Sequence, residues 1–208
     1  MQKKKTKLIT IAGPQSSGKT DTLEIISKYF PKFPIYFEVN PYSVVSKNHL
    51  GAAFTDSSLT KKIADIDIKN IRKIPRDNKI HILETGILHL CYLEHICSNY
   101  CAEKYLKKYI LAQKNFHSII IFIDTKPEIS WKRRKPIYLK RIKDNIINGL
   151  HEKKITLNKY RKIIYDLYPL WLKYYHKAPF EKYMIKNSCK SYSVFKKELI
   201  DIIRKLTV

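Results

Sequence analysis

No apolar run in this 208-residue chain approaches the roughly 20 residues of a membrane-spanning helix, so no membrane association is expected. Internal repeats, low-complexity tracts and Pro/Gly-rich linkers are also missing. Their absence excludes solenoids and tethered modules, and leaves one domain over residues 1–208. Met1 to Lys7 is basic but leads directly into a strand-like run rather than a signal-peptide core, which makes the cytosol the expected compartment. Cysteines number four, and three of them (Cys91, Cys97, Cys101) share a segment with His89 and His95 but contain no C-x-x-C knuckle. That spacing favours small buried thiols over a zinc site. Acidic residues are the scarcest large class: 18 against 41 lysines and arginines, a net charge of +23. Such a field attracts polyanions, yet no arginine cluster or RNA-binding aromatic signature marks one face. Nucleic acid is therefore kept as a partner class on charge alone. A homodimer is left open.

The most informative segment is Gly13-Pro14-Gln15-Ser16-Ser17-Gly18-Lys19-Thr20, which fits the phosphate-binding (Walker A) pattern G-x-x-x-x-G-K-[ST] in full. Upstream, Leu8 to Ala12 is an apolar, β-branched run of buried-strand length. Downstream, Leu23, Ile25, Ile26, Tyr29 and Phe30 share roughly one helical face, and Pro31 ends it. Strand, loop and helix thus follow in the order in which the loop's N–H groups can wrap a triphosphate at a helix N-terminus. Gly13, Gln15, Ser16, Ser17, Gly18, Lys19, Thr20 and Asp21 are expected at the nucleotide. Lys19 would bridge the outer phosphates and the Thr20 hydroxyl would enter a Mg2+ shell.

Further strand-length runs occur at Ile35–Val39, Ile80–Glu84, Ser118–Asp124 and Tyr183–Ile185. Between them lie helical patterns: Leu59 to Ile74, about Leu88 to Lys114, an aromatic helix from Tyr160 to Tyr174 with Pro169 as a kink, and a closing stretch from Phe195 to Leu206. The alternation predicts an α/β fold, a three-layer α/β/α sandwich on a five-stranded parallel sheet. Ligands of such sheets gather beyond the carboxyl ends of the strands. Glu38, Glu84 and Asp124 would stand there, and carboxylates beside a triphosphate can order Mg2+ or take a proton from an attacking hydroxyl. After the fourth strand, Trp131-Lys-Arg133-Arg134-Lys-Pro136 and then Tyr138, Lys140 and Arg141 make an arginine-bearing lid over about 131–155, suited to clamping a phosphoryl group in transfer. Tyr42, His49, Phe54, Trp131 and Tyr138 are the aromatic residues with which an acceptor base could stack.

Ile11 to Thr20, Tyr36-Phe-Glu-Val-Asn-Pro41, Phe122 to Arg134 and Tyr160 to Tyr168 together resemble the deoxynucleoside kinase and thymidylate kinase branch of phosphate-loop kinases. The small kinase-like ATPase domains that include nicotinamide riboside kinases are similar around residues 9 to 45. The resemblance implies an ATP- and Mg2+-dependent phosphotransferase of nucleotide metabolism, acting on a nucleoside, a nucleoside monophosphate or a similar small molecule. It implies Glu38 as the base for a substrate 5′-hydroxyl, Glu84 on Mg2+ through water, Arg133 and Arg134 as phosphate clamps, and Lys186 and Asn187 near adenine. One departure is visible: that branch usually follows its third-strand acid with arginine, whereas Thr85 follows Glu84 here.

Other classes fit less well. A GTPase needs D-x-x-G, which is missing, and Thr125-Lys126-Pro127-Glu128 ends in Glu where the guanine-reading Asp belongs. The transporter signature L-S-G-G-Q is missing too. A polynucleotide kinase, or another nucleic-acid-acting ATPase, is the alternative that suits +23 best. A non-catalytic ATP-binding module is the remaining reading.

Overall fold

The computed structural model of the chain describes residues 5–39, 44, 56–147, 156–188 and 191–207, with the side chains of 141, 142 and 144–147 excepted. Five parallel strands run in the order β2-β3-β1-β4-β5: β1 Lys7–Ala12, β2 Ile35–Tyr36, β3 Ile80–Glu84, β4 His117–Asp124 and β5 Glu181–Lys186. The helices are α1 Lys19–Tyr29, α2 Ser57–Lys73, α3 Leu90–Ile96, α4 Asn99–Gln113, α5 Pro127–Ile147, α6 Leu157–Lys177 and α7 Tyr192–Thr207. Strands β1 and β4, both apolar along nearly their whole length, form the buried centre, with Leu8↔Ser118 through Ala12↔Phe122 in register. Side chains alternate across this sheet and fill two cores. On one face Ile9, Ile11, Ile119, Ile121 and Ile123 meet α1 and α7. On the other Leu8, Ile120 and Phe122 meet α2, α3, α4 and α6 around the fully buried Trp171 and Tyr174. The three-layer α/β/α sandwich expected from the alternation is the fold.

Two segments depart from their sequence patterns. Strand β2 stops after two residues, although Ile35–Val39 reads as one strand. Among the described residues it is an edge strand, paired through Ile35↔Ile82 and Tyr36↔Leu83, with no second neighbour to prolong it. The run Leu88 to Lys114 is not one helix. A 3-10 turn at Gly86–His89 leads into α3, which ends at Ile96, and α4 starts at Asn99 after the N-cap Ser98, whose hydroxyl accepts the Cys101 N–H at 3.1 Å. A serine N-cap interrupts a pattern whose apolar spacing carries on across it. Pro169, by contrast, lies inside an unbroken α6, as does Pro136 inside α5.

Asp67 of α2 is 6% exposed, and Tyr109 of α4 donates to its Oδ2 at 2.8 Å. Burial pushes its carboxyl up to about 7; the Tyr109 hydrogen bond works against that, and the Glu38 charge adds to it. A carboxyl whose folded value lies above its unfolded one holds its proton more tightly when folded. Its stabilising contribution is complete below pH ~4 and declines as the pH rises through about 7. Asp67→Asn keeps an oxygen for Tyr109 and removes the charge. The variant is expected to be more stable than the parent at pH 8 by roughly 1–4 kcal/mol, with little difference at pH 4.5. Urea midpoints at the two pH values measure this.

Candidate active site

The phosphate loop is fixed from three sides. Gly13 crosses β4 so closely that a Cβ there would stand 2.5 Å from the Ile123 carbonyl oxygen and 2.7 Å from Ser17 Oγ, so no larger residue fits. Gly18, the N-cap of α1, has φ 100°, a left-handed conformation that glycine takes freely. From the start of the β4–α5 and β5–α7 connections, the Thr125 hydroxyl (3.5 Å) and the Asn187 side-chain amide (2.7 Å) both donate to the Ser17 carbonyl. Within the loop, Ser17 N–H meets the Pro14 carbonyl at 3.2 Å. Among the described residues no acceptor takes the N–H groups of Gly18, Lys19 and Thr20, the first donors of α1, and Ser17 Oγ is buried without a partner. A ring of unmatched donors at a helix N-terminus suits an anion. Lys19 Nζ donates to the Gly13 carbonyl at 3.0 Å and the Pro14 carbonyl at 3.4 Å, and lies 5.6 Å from the centre of the Trp171 ring.

This loop forms one wall of a cleft of about 540 Å³. Gln15, Ser16, Ser17, Gly18, Lys19, Thr20 and Asp21 all line it, and so do Glu38, Glu84, Arg133, Arg134 and Asn187. Eleven of the expected site residues therefore face one space together with Lys19; Gly13 lies behind the loop. Glu84 closes β3, while Glu38 hangs past the end of the short β2. The chain turns back so that the Glu38 N–H donates to Glu84 Oε2 at 3.3 Å and the Thr85 hydroxyl donates to Glu38 Oε2 at 2.6 Å. Glu84 sits above the usual carboxylate range because of its burial first and the Glu38 charge second; Lys19 pulls the other way. Thr20 lines the same cleft. A hydroxyl and an under-compensated acid are a fitting donor set for a hard divalent cation such as Mg2+.

Asp124 does not join the two glutamates. Its Oδ1 accepts the Tyr168 hydroxyl at 2.9 Å, so it ties α6 to β4, and the Tyr168 phenol is pushed up to about 12, by burial first and by that bond second. The arginines of α5 reach the loop from above. Arg133 donates to the Ser16 carbonyl at 3.4 Å and the Asn187 carbonyl at 3.0 Å. Arg134 Nε donates to Tyr160 Oη at 2.9 Å, and that hydroxyl donates onward to Gln15 Oε1 at 3.2 Å. Ser130 Oγ donates to the Gln15 carbonyl. Helix α5 is thereby hinged on the very loop that it would cover. Asn187 is present at the cleft, but its amide holds Ser17 rather than standing free for a base.

Some members of the site gave no sequence signal. Tyr92, Tyr192 and Phe195 line the cleft from helices whose patterns read only as core or surface. The stacking candidates Trp131 and Tyr138 pack against Tyr160 instead, Tyr138 at 4.2 Å between ring centres and nearly parallel. Tyr42, His49, Phe54, Cys189, the Arg141 side chain and lid residues 148–155 lie outside the described residues.

Comparison with known proteins adds to this geometry. No protein-family model matches the chain, and no curated protein matches it in sequence. Solved structures do match in fold. A thymidylate kinase from Ehrlichia chaffeensis superposes with a TM-score of 0.62 at 14% identity, over 96% of this chain and 99% of that one. A deoxyadenosine kinase from M. mycoides with bound dCTP gives 0.61 at 14% identity, over 95% and 99%. The YorR protein from Bacillus subtilis, in complex with phosphorylated GDP, gives 0.54 at 17% identity, over 95% of each chain. Over nearly its whole length, the chain has the fold of nucleoside and nucleotide kinases of the phosphate-loop type.

Proposed function

We propose that the protein is a phosphotransferase that moves the γ-phosphate of ATP, with Mg2+, to the hydroxyl of a nucleoside or a similar small molecule. The observation that carries this reading is the pairing of Glu38 with Glu84, one cleft wall away from the phosphate loop and Lys19. A nucleotide-binding module or a switch needs no second carboxylate beside its phosphates. An acceptor hydroxyl does need one, because it must lose a proton as it attacks.

The reaction is an in-line displacement. The acceptor's O–H bond breaks, its proton passes to the Glu38 carboxylate, and the oxygen lone pair forms the new O–P bond. The old bridging O–P pair leaves with ADP. Lys19 would exchange its bonds to the Gly13 and Pro14 carbonyls for phosphate oxygens, and Arg133 and Arg134 would do the same from α5. The Thr20 hydroxyl and, through water, Glu84 would hold Mg2+, which would supply charge neutralisation on the phosphates. A nucleoside monophosphate is a poorer acceptor on this reading. Its phosphate needs no base and would be repelled by two adjoining carboxylates, with Lys19 the described cation acting on Glu84.

The net charge of +23 favours one second reading, a polynucleotide 5′-hydroxyl as acceptor in the same chemistry. A coupled ADP-release screen across nucleosides, their monophosphates and short oligonucleotides tests both. ADP formation strictly dependent on a nucleoside is the expected result. Dependence on oligonucleotide alone selects the second reading, and no acceptor-dependent ADP rejects a kinase.

A further inference from the structure

We infer that Thr85 is a positioning residue for phosphotransfer. Its hydroxyl holds Glu38 Oε2, so that the carboxylate's other oxygen is the one presented to the acceptor. This rests on the reading of Glu38 as the base.

Among the described residues, Glu38 has little else to fix it. It is exposed, lies two residues beyond a strand of only two residues, and follows Phe37, which is 66% exposed. A base must nevertheless stand within hydrogen-bond reach of the proton that it takes, and small displacements are costly. The Thr85 hydroxyl at 2.6 Å is the shortest contact Glu38 makes among the described residues. The Glu38 N–H on Glu84 Oε2 then sets the spacing of base and metal-side acid.

The backbone at Thr85 shows what holding that hydroxyl involves. Its φ of 63° and ψ of −58° lie in a region that β-branched residues strongly avoid, and Gly86 follows with φ 48°. Such a conformation is strained for any residue that carries a Cβ. Surrounding structure imposes it. The Thr85 N–H donates to the Ile11 carbonyl at 2.9 Å, its carbonyl takes the Leu88 N–H at 3.1 Å, and the residue is 2% exposed. Glycine would occupy the position without strain. The chain instead places there the residue type least suited to the backbone, with its one side-chain polar atom aimed at the Glu38 carboxylate. Strain of this kind at a cleft is best explained by what the side chain does. The absence of arginine after Glu84 acquires a positive content: at this position the acid's partner is a neutral donor. A neutral donor orients Glu38 without the full charge that would draw the carboxylate into an ion pair and away from the acceptor.

Thr85→Val removes the hydroxyl and keeps the branching. It is expected to lower kcat about 10- to 100-fold, with KM for MgATP and for the acceptor within about twofold of the parent. Thr85→Ser restores the hydroxyl and should recover kcat to within about threefold. In a Glu38→Gln background, Thr85→Val should change kcat by less than about twofold, because a residue acting through Glu38 has nothing further to lose. A residue that only supports the fold would multiply the two losses instead. Should the valine variant fail to fold, Thr85→Gly, which relieves the backbone, carries the same expectation of lost kcat with retained KM. Near-parental kcat in Thr85→Val or Thr85→Gly, or an undiminished effect in the Glu38→Gln background, overturns the inference while Glu38 stands. Near-parental kcat in Glu38→Gln alone removes the base and the inference together.

Discussion

Lys19→Ala is expected to fold normally and to lose about three orders of magnitude in phosphotransfer, the scale of removing one preorganised donor to developing charge. The side chain is half-buried, and its hydrogen bonds go to two carbonyls of its own loop, Gly13 and Pro14, rather than to the core. Its removal therefore opens no large cavity. It does remove the cation of the phosphate loop itself, which shares the cleft with the start of α1. Charge builds on the γ-phosphoryl oxygens only as transfer proceeds, so most of the loss should appear in kcat rather than in KM for ATP. Steady-state kinetics with the acceptor found in the ADP screen, with a thermal melt of each protein alongside, measure both expectations. A variant that melts as the parent does and turns over at more than a tenth of its rate would mean that the loop serves binding and not transfer. Arg133 and Arg134 sharpen the comparison. Each is bonded to the loop or to Tyr160, and loss of either would disturb the seating of α5 as well as any phosphate contact. Lys19, by contrast, bonds only carbonyls of its own loop among the described residues and does not seat α5.

The parts of the site that could be read in the chain are those with fixed local spacing. The phosphate loop is eight consecutive residues whose geometry is set by their own glycines and the flanking strand, so Gly13 and Gly18 announce it before any packing is known. Glu84 was equally legible, because an apolar strand delivers its last residue to one rim of a parallel sheet whatever the neighbours do. Asp124 obeys the same rule and still misses the cleft. Its strand ends correctly, but Tyr168, 44 residues later, captures the carboxylate, and nothing at Asp124 itself foretells that. Glu38 illustrates the opposite case. Its strand is shorter than the pattern Ile35–Val39, and it comes to the rim through the hydrogen bond from Thr85, a partner 47 positions away. Tyr160 and Gln15, 145 positions apart, are linked to Arg134 in the same non-local way. Single-residue chemistry was visible where the backbone alone positions it, and hidden where a side chain from another element does.

Glu38→Gln separates the two carboxylates. Glutamine keeps an oxygen that can accept the Thr85 hydroxyl at the position now held by Glu38 Oε2, so the loop and the bond from Thr85 should persist. What disappears is the capacity to take a proton. The expected result is a fall in kcat of about 10²- to 10⁴-fold with nucleotide affinity unchanged. Glu84→Gln should behave differently. If Glu84 orders Mg2+ through water, its loss weakens the metal and leaves the base, so raising Mg2+ should restore much of its turnover. The same titration should do nothing for Glu38→Gln. Fluorescent ATP-analogue binding together with a Mg2+ titration of turnover for both variants provides the readout. If the glutamine variant at 38 kept more than about a tenth of parental kcat, a proton would be leaving the acceptor by another route, to the γ-phosphate itself or to solvent. The carboxylate pair would then be a metal site only. If Mg2+ rescued the variant at 38 and not the one at 84, the two roles would exchange places. The exposed glutamate, not the half-buried one, would then stand nearest the metal.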